Sequence, residues 1–215
     1  RNRVRRKDFW IYVSKLIGDK KFYGSVLKVA VPIMIQNGIS NFVSLLDNIM
    51  IGRVGTEQMS GIAIVNQLIF VFNLAIFGAL SAAGIFGAQF YGKGDHEGVR
   101  HAMRFKLYVT LGLVLLGVLA FLSFGDQLIL LYLHDEGGTT QSLDAALQYG
   151  RTYLGVMLVG LLPFGLEEAY ASTLRECGET RLPMLAGIVA VFVNLGFNYL
   201  LIFGKFGFPK LGVAG

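Results

Sequence analysis

Asp47 is the residue of this chain whose type and position most clearly allow chemistry. It is the only charge in the run Pro32–Gly52, where Gln36, Asn37, Ser40, Asn41, Ser44 and Asn48 accompany it among apolar residues. A run of this length can cross a bilayer as a helix. At about 100° per residue, all of these polar side chains fall within an arc of roughly 140°. Lipid cannot satisfy such groups, so the stripe must face protein or a water-filled cavity. A carboxylate at membrane depth costs at least about 2.5 kcal/mol and marks an ion path, a proton relay or a substrate site. Flanked by amide and hydroxyl oxygens, Asp47 can take a proton or bind Na⁺. The competing reading is polar packing between helices, which would serve the Ser and Asn residues but needs no charge.

The elements that must position this stripe follow from composition. The chain is 54% hydrophobic and 15% charged, with a mean hydropathy of +0.58, outside the range of ordinary soluble domains. Charge-poor stretches predict helices at approximately 26–52, 60–91, 105–124, 148–174 and 182–204, each close to the length of a span. A Gly/Pro turn follows to Ala214, where a sixth helix would begin. The expected fold class is therefore an all-α, polytopic membrane bundle with five complete helices and the start of a sixth. Residues 1–24 form a basic, partly amphipathic lead that includes FWIYV at residues 9–13, suited to an anionic membrane face. The membrane domain that follows argues against nucleic-acid binding. Because the chain starts at Arg1 and stops just after a loop, it reads as a fragment.

Charge distribution predicts orientation. With the N-terminus in the cytoplasm, the inner segments hold fifteen of the Lys and Arg residues and the outer ones four, which satisfies the positive-inside rule. The expected location is the plasma membrane. Further polar candidates lie at Asn66, Gln67, Asn73, Ser81 and Gln89 on the second helix, and at Asn194 and Asn198, one turn apart on the fifth. Together with the Asp47 stripe they predict a polar chamber. Met34, Phe42, Met50 and Phe70 can face either an apolar organic cation or lipid. Glu167 and Glu168 either reach water and pair with Arg175 or Arg181, or form a second proton-accessible group. GKGDHEG at residues 92–98 lacks phosphate-loop spacing and reads as a tight inner turn. The single cysteine, Cys177, excludes an internal disulfide. With no His or Cys in the predicted spans, an intramembrane enzyme is disfavoured.

Four segments, in order, resemble the amino-terminal half of the multidrug and toxic compound extrusion (MATE) transporter family. They are VPIMIQ…LLDNIMIGRVG at residues 31–55, AQFYGKGDHE at 88–97, LRECGETRLPM at 174–184, and VNLGFNYLLIFG with GFPKLGVAG at 193–215. The resemblance covers roughly residues 25–215. It implies one six-helix lobe of a twelve-helix transporter, with the carboxy-terminal lobe of the same chain as its missing partner. It also implies multidrug efflux by proton- or sodium-coupled antiport, without a cofactor. The substrates would be small organic cations, and membrane lipids would surround the bundle. By resemblance, Asp47 is the coupling carboxylate, Pro32 the bend of the first helix, and Asn194, Asn198 and Tyr153 its network. Gln36, Asn37, Ser40, Asn41, Ser44, Asn48, Met34 and Asn66 line the substrate cavity. Asn198 stands where some members carry aspartate, and an amide cannot titrate. A related lipid-linked-oligosaccharide flippase is the alternative; it would call for a cavity rich in Arg.

Overall fold

A computed structural model describes residues 19–52, 56–133 and 140–211. The predicted lead before residue 19 and the predicted sixth-helix start at Ala214 lie outside the described residues. Five helices follow one another: α1 (Lys20–Gly52), α2 (Thr56–Gly92), α3 (His96–Leu133), α4 (Thr140–Glu176) and α5 (Arg181–Phe203). All contain a stretch long and apolar enough to cross a membrane, and among the described residues there is no strand. This is the all-α polytopic bundle the hydropathy predicts.

The helices are longer than the charge-free stretches. α3 begins at His96 rather than near residue 105, and α1 at Lys20 rather than 26. A gap in charge locates the apolar crossing, whereas a helix continues into the polar boundary as long as its backbone bonds are made. Arg100, His101, Arg104 and Lys106 therefore stand on the first turns of α3, not in a loop. The turn itself is short. Gly94 adopts φ 74°, which a residue with a Cβ rarely takes. Asp95 then accepts the Gly98 backbone N–H at 2.9 Å, capping α3.

Similar local chemistry closes the next junction. Gly178 takes φ 78°, and Glu179 N–H donates back to the Leu174 carbonyl at 2.9 Å. The Glu179 carboxylate accepts the Arg181 and Leu182 backbone N–H groups at 3.1 and 3.3 Å. These are orphan donors of the α5 N-terminus, where negative charge is favoured. α5 ends at Gly204, left-handed at φ 64° and ψ 46°.

α2, α3 and α4 pack extensively on one another, while α1 packs mainly on α5 and that pair touches the trio sparingly. The core of the trio is built from Val65, Ile69, Phe72, Ile76 and Leu80 of α2, Val114, Ile129 and Leu133 of α3, and Leu154, Leu161 and Ala169 of α4. α2 and α4 run parallel, with backbones in near contact at Gly61 and Gly150. A Cβ on Gly61 would lie 2.4 Å from the Ala146 carbonyl oxygen, so only glycine allows this approach. Many remaining large apolar side chains are exposed, among them Phe77, Leu116, Leu122, Val159 and Phe192, as expected of surfaces that meet lipid rather than water.

At the end of the bundle where α2 stops, Lys106 is buried with no exposed side-chain surface. Its ammonium donates to Glu176 Oε1, Ser172 Oγ at 3.1 Å and Thr173 Oγ1 at 3.3 Å. The Glu176 carboxylate in turn rests on α2, where a Cβ at Gly84 or Gly87 would lie 2.3 or 2.6 Å from its oxygens. Breaking a buried pair from one side is costly because the remaining charge is stranded. Lys106→Met is therefore expected to destabilise the protein by about 3–5 kcal/mol, and Lys106→Met with Glu176→Gln to recover most of that. Thermal unfolding of the full-length protein in detergent measures both; equal melting temperatures for wild type and Lys106→Met would show the pair to be dispensable.

Candidate functional site

The α1 stripe is positioned by a parallel packing with fixed register. Gln36 lies against Gly187, where a Cβ would meet its amide nitrogen at 2.6 Å. Eleven residues further along both helices, Asn198 Nδ2 donates to Asp47 Oδ1 at 3.0 Å. Eleven residues bring an α-helix back to nearly the same face, so both contacts lie on one seam. Asn198 also donates to Asn194 Oδ1 at 3.2 Å. The predicted Asp47, Asn198 and Asn194 are thus joined in one chain of hydrogen bonds. Asn198 serves as donor to both partners, a role an ionised aspartate there would not fill.

Only one edge of the stripe is used in this way. Gln36 and Asp47 occupy the edge that faces α5. Ser44 donates to the Ser40 carbonyl of its own helix at 3.1 Å. Asn37, Asn41 and Asn48 occupy the opposite edge and are exposed, as is Met34 beside them. Phe42 falls elsewhere, in an apolar cleft of about 310 Å³ that Val43, Leu46, Val191 and Phe192 also line.

Tyr153 of α4 and Asn66 of α2 form the neighbouring polar contact: the phenol donates to Asn66 Oδ1 at 3.0 Å. The Asp47 carboxylate is near enough to Tyr153 to act on it electrostatically. So the structure assembles Asp47, Asn194, Asn198, Tyr153 and Asn66 from four helices. The site lies toward the end where α1 stops, since Asp47 precedes Gly52 by five residues, or about 8 Å of helix. Pro32 lies inside α1, as predicted, and Pro163 inside α4.

A second polar cluster went unrecognised in the sequence. Ser81, Glu168, Ser172, Arg175 and Glu176 line a cleft of about 270 Å³ between α2 and α4, beside Lys106. Glu168 pairs with Arg175 at 3.0 Å, as one of its two readings anticipated, and Glu167 is exposed. Lys106 stands at the start of the predicted 105–124 helix, where a count of charges ignores which way a helical residue points. Ser172, Thr173 and Glu176 fall on one surface of α4, but nothing in the sequence ties that surface to α3. Cys177 follows α4, and burial above all, then the Glu176 charge, push its thiol up against an opposing effect of Lys106, which makes it a weak nucleophile at neutral pH. Among the described residues no group of His, Cys, Asp and Glu is arranged to hold a metal ion. What Asp47 has for partners is amides, a set that suits a proton or a hard monovalent cation better than a transition metal.

Long apolar helices that gather a carboxylate and amides on an unlipid-like surface define a multi-pass membrane protein built around a polar wall. Residues 32–200 match the MatE family model, and the chain belongs to that family. A probable multidrug resistance protein NorM from Thermotoga maritima is 29% identical over 192 residues, covering 88% of this chain and 39% of that protein. Its namesake from Streptococcus pneumoniae serotype 4 is 32% identical over 207 residues, covering 95% of this chain and 43% of the relative. The chain thus spans about two fifths of the length of the curated relatives it matches. A MOP superfamily transporter from Pyrococcus furiosus shares the fold, with a TM-score of 0.69 at 20% identity over 88% of this chain and 40% of that one.

The Tyr153–Asn66 bond is expected to contribute about 1 kcal/mol. In a double-mutant cycle, Tyr153→Phe and Asn66→Ala should each destabilise, and the pair together should cost less than their sum. Strict additivity of unfolding free energies would show that the two side chains do not interact.

Proposed function

We propose that this chain is the amino-terminal lobe of a secondary active exporter, in which Asp47 carries the coupling cation. The observation that supports this most is the Asp47–Asn198–Asn194 chain beside an exposed row of Asn37, Asn41 and Asn48. One edge of the stripe holds the carboxylate and the other is left for a ligand. The NorM relatives, named for multidrug resistance, support small organic molecules as the cargo. Organic cations fit best, because an anionic Asp47 attracts them and a neutralised one does not.

The coupling follows from that competition. With Asp47 ionised, Asn198 supplies an N–H donor and the cavity holds a cationic substrate. A proton or Na⁺ arriving from outside neutralises Asp47, weakens both attractions and frees α1 to rearrange about Pro32. The α1–α5 pair is attached sparingly to the other three helices, which favours its moving as a unit between inward- and outward-open states. The carboxy-terminal lobe would close the chamber and complete the twelve helices. In this reading the N-terminus is cytoplasmic and the protein sits in the plasma membrane. An oligosaccharide flippase would need cations lining the chamber. Lys106 does not serve, since it is neutralised by Glu176, about 35 Å along α4 from Tyr153.

Asp47→Asn in the full-length protein keeps an acceptor for Asn198 but removes the titrating group. It is expected to insert and bind substrate, and to lose gradient-driven efflux. Asn198→Asp should shift the dependence of transport on pH or Na⁺. Efflux by Asp47→Asn at the wild-type rate, with unchanged response to either gradient, would refute the coupling role. Orientation has its own test: in a Cys177→Ser background, a cysteine at position 96 should resist impermeant thiol reagents applied outside intact cells. Ready labelling there would invert the topology.

A further inference from the structure

Along the parallel seam of α2 and α4, polar residues meet twice at one interval. Tyr153 donates to Asn66, 87 positions before it. Ser81 and Glu168, separated by the same interval, line one cleft of about 270 Å³. Between the two meetings each helix advances fifteen residues, about 22 Å, and returns to within about 60° of the same face. Both helices turn together, so the cleft stays on the flank that carries Tyr153 and Asn66. The Asp47 carboxylate acts on that flank through Tyr153. Asn73 stands on it between the two, seven residues from Asn66. Its side-chain oxygen is buried with no hydrogen-bond partner among the described residues. Such an acceptor is costly to leave unmet, and water entering the seam would relieve it.

The charges around the cleft differ in how firmly they are held. Glu176 is committed to Lys106 of α3, whose side chain is wholly buried. Glu168 meets Arg175 through Oε2 at 3.0 Å, and these two side chains are 30% and 23% exposed. Glu167 is adjacent but points about 100° away around the helix. The α2 wall, made of Phe77, Leu80 and Ser81, carries no ionisable group. Protonating Glu176 would strand the Lys106 ammonium. Protonating Glu168 strands nothing, because Arg175 lies in the last turn of α4 and can turn its head to water. Glu168 is thus the carboxylate of the cleft that can gain and lose a proton while the frame stays intact.

We propose, resting on the reading of Asp47 as the coupling carboxylate with the proton as its cation, that Glu168 is a second proton-binding residue of the export cycle. The O–H bond of the Asp47 acid breaks and its proton passes to water in the chamber. That water protonates the Glu168 carboxylate, and Arg175 lets go. When the Glu168 O–H breaks in turn, the proton enters the solution at the end where α4 stops, and the pair with Arg175 re-forms. Asp47 meets one side of the membrane and Glu168 the other.

Transport of tetraphenylphosphonium by the full-length protein, in membrane vesicles of one orientation with the pH of each side set separately, tests this. Wild type should respond to pH on both sides. Glu168→Gln keeps an acceptor for Arg175. It should still bind the probe but lose the response to pH on the side where α4 stops, and Glu168→Asp should keep that response. Arg175→Gln should move its midpoint to higher pH, since loss of a neighbouring positive charge favours the protonated acid. Probe binding in detergent shows that each variant is folded. The relay is overturned if wild type is indifferent to pH on that side, or if Glu168→Gln responds as wild type does. It is also overturned if Arg175→Gln loses the response as Glu168→Gln does, which would mark the pair as a structural tie. Failure of the underlying reading looks different: Asp47→Asn would keep its full response on both sides, and the relay would fall with it.

Discussion

An ammonium group with no exposed surface can persist only beside an anion, and in this bundle that requirement ties three helices together. Lys106 belongs to α3 and its carboxylate partner Glu176 to α4, and that carboxylate reaches its position only because α2 presents Gly84 and Gly87 there. Ser172 and Thr173 fill the remaining donor positions of the ammonium, so the charge is paired and hydrogen-bonded, the condition under which burial is tolerated. At the opposite end the α2–α4 contact is closed by backbone against backbone at Gly61 and Gly150. Between these two ends lies the interdigitated apolar core. The trio is thereby fixed at both ends and along its length.

The α1–α5 pair is held differently. Its seam is polar, marked by Gln36 at Gly187 and Asp47 at Asn198, and it meets the trio through few residues. A rigid three-helix frame beside a lightly attached two-helix pair is the division of labour that the proposed transport role requires. The frame keeps Tyr153 and Asn66 in place, while in the proposed cycle the helix bearing the carboxylate responds to the cation. Small changes in contact free energy suffice to shift such a pair, because they compete with a limited interface rather than with the whole core.

Much of this was legible in the sequence, for reasons that differ by element. The five spans followed from hydropathy, because a bilayer accepts only apolar, internally bonded helices. The Asp47 stripe followed from periodicity, because seven polar residues on one arc of a lipid-bound helix have few alternatives. Asn194 and Asn198 stood out as polar residues one turn apart on the fifth helix, and resemblance joined them to Asp47; the Asn198–Asp47 and Asn198–Asn194 hydrogen bonds give that link a geometry. What periodicity could not supply was the division of the stripe. Whether Asn37 or Gln36 meets α5 depends on the angle at which α1 docks, a tertiary property. Helix ends were misjudged at His96 and Lys20 because absence of charge marks the apolar crossing and not the end of hydrogen bonding. Lys106 was hidden for a related reason. A cation near a span boundary ordinarily snorkels to water, and its burial depends on a carboxylate seventy positions later in the chain.

The glycine cradle under Glu176 also bears on how this sequence can vary. A methyl group at position 84 would occupy space the Glu176 carboxylate now fills, and a shorter acid at position 176 would draw back from Lys106. An alanine at 84 or 87 therefore displaces the Glu176 carboxylate, and that displacement is felt at Lys106. These positions come from three different helices, yet they share one packing constraint. Compensated pairs are the expected route through that constraint, in natural drift and in laboratory selection alike.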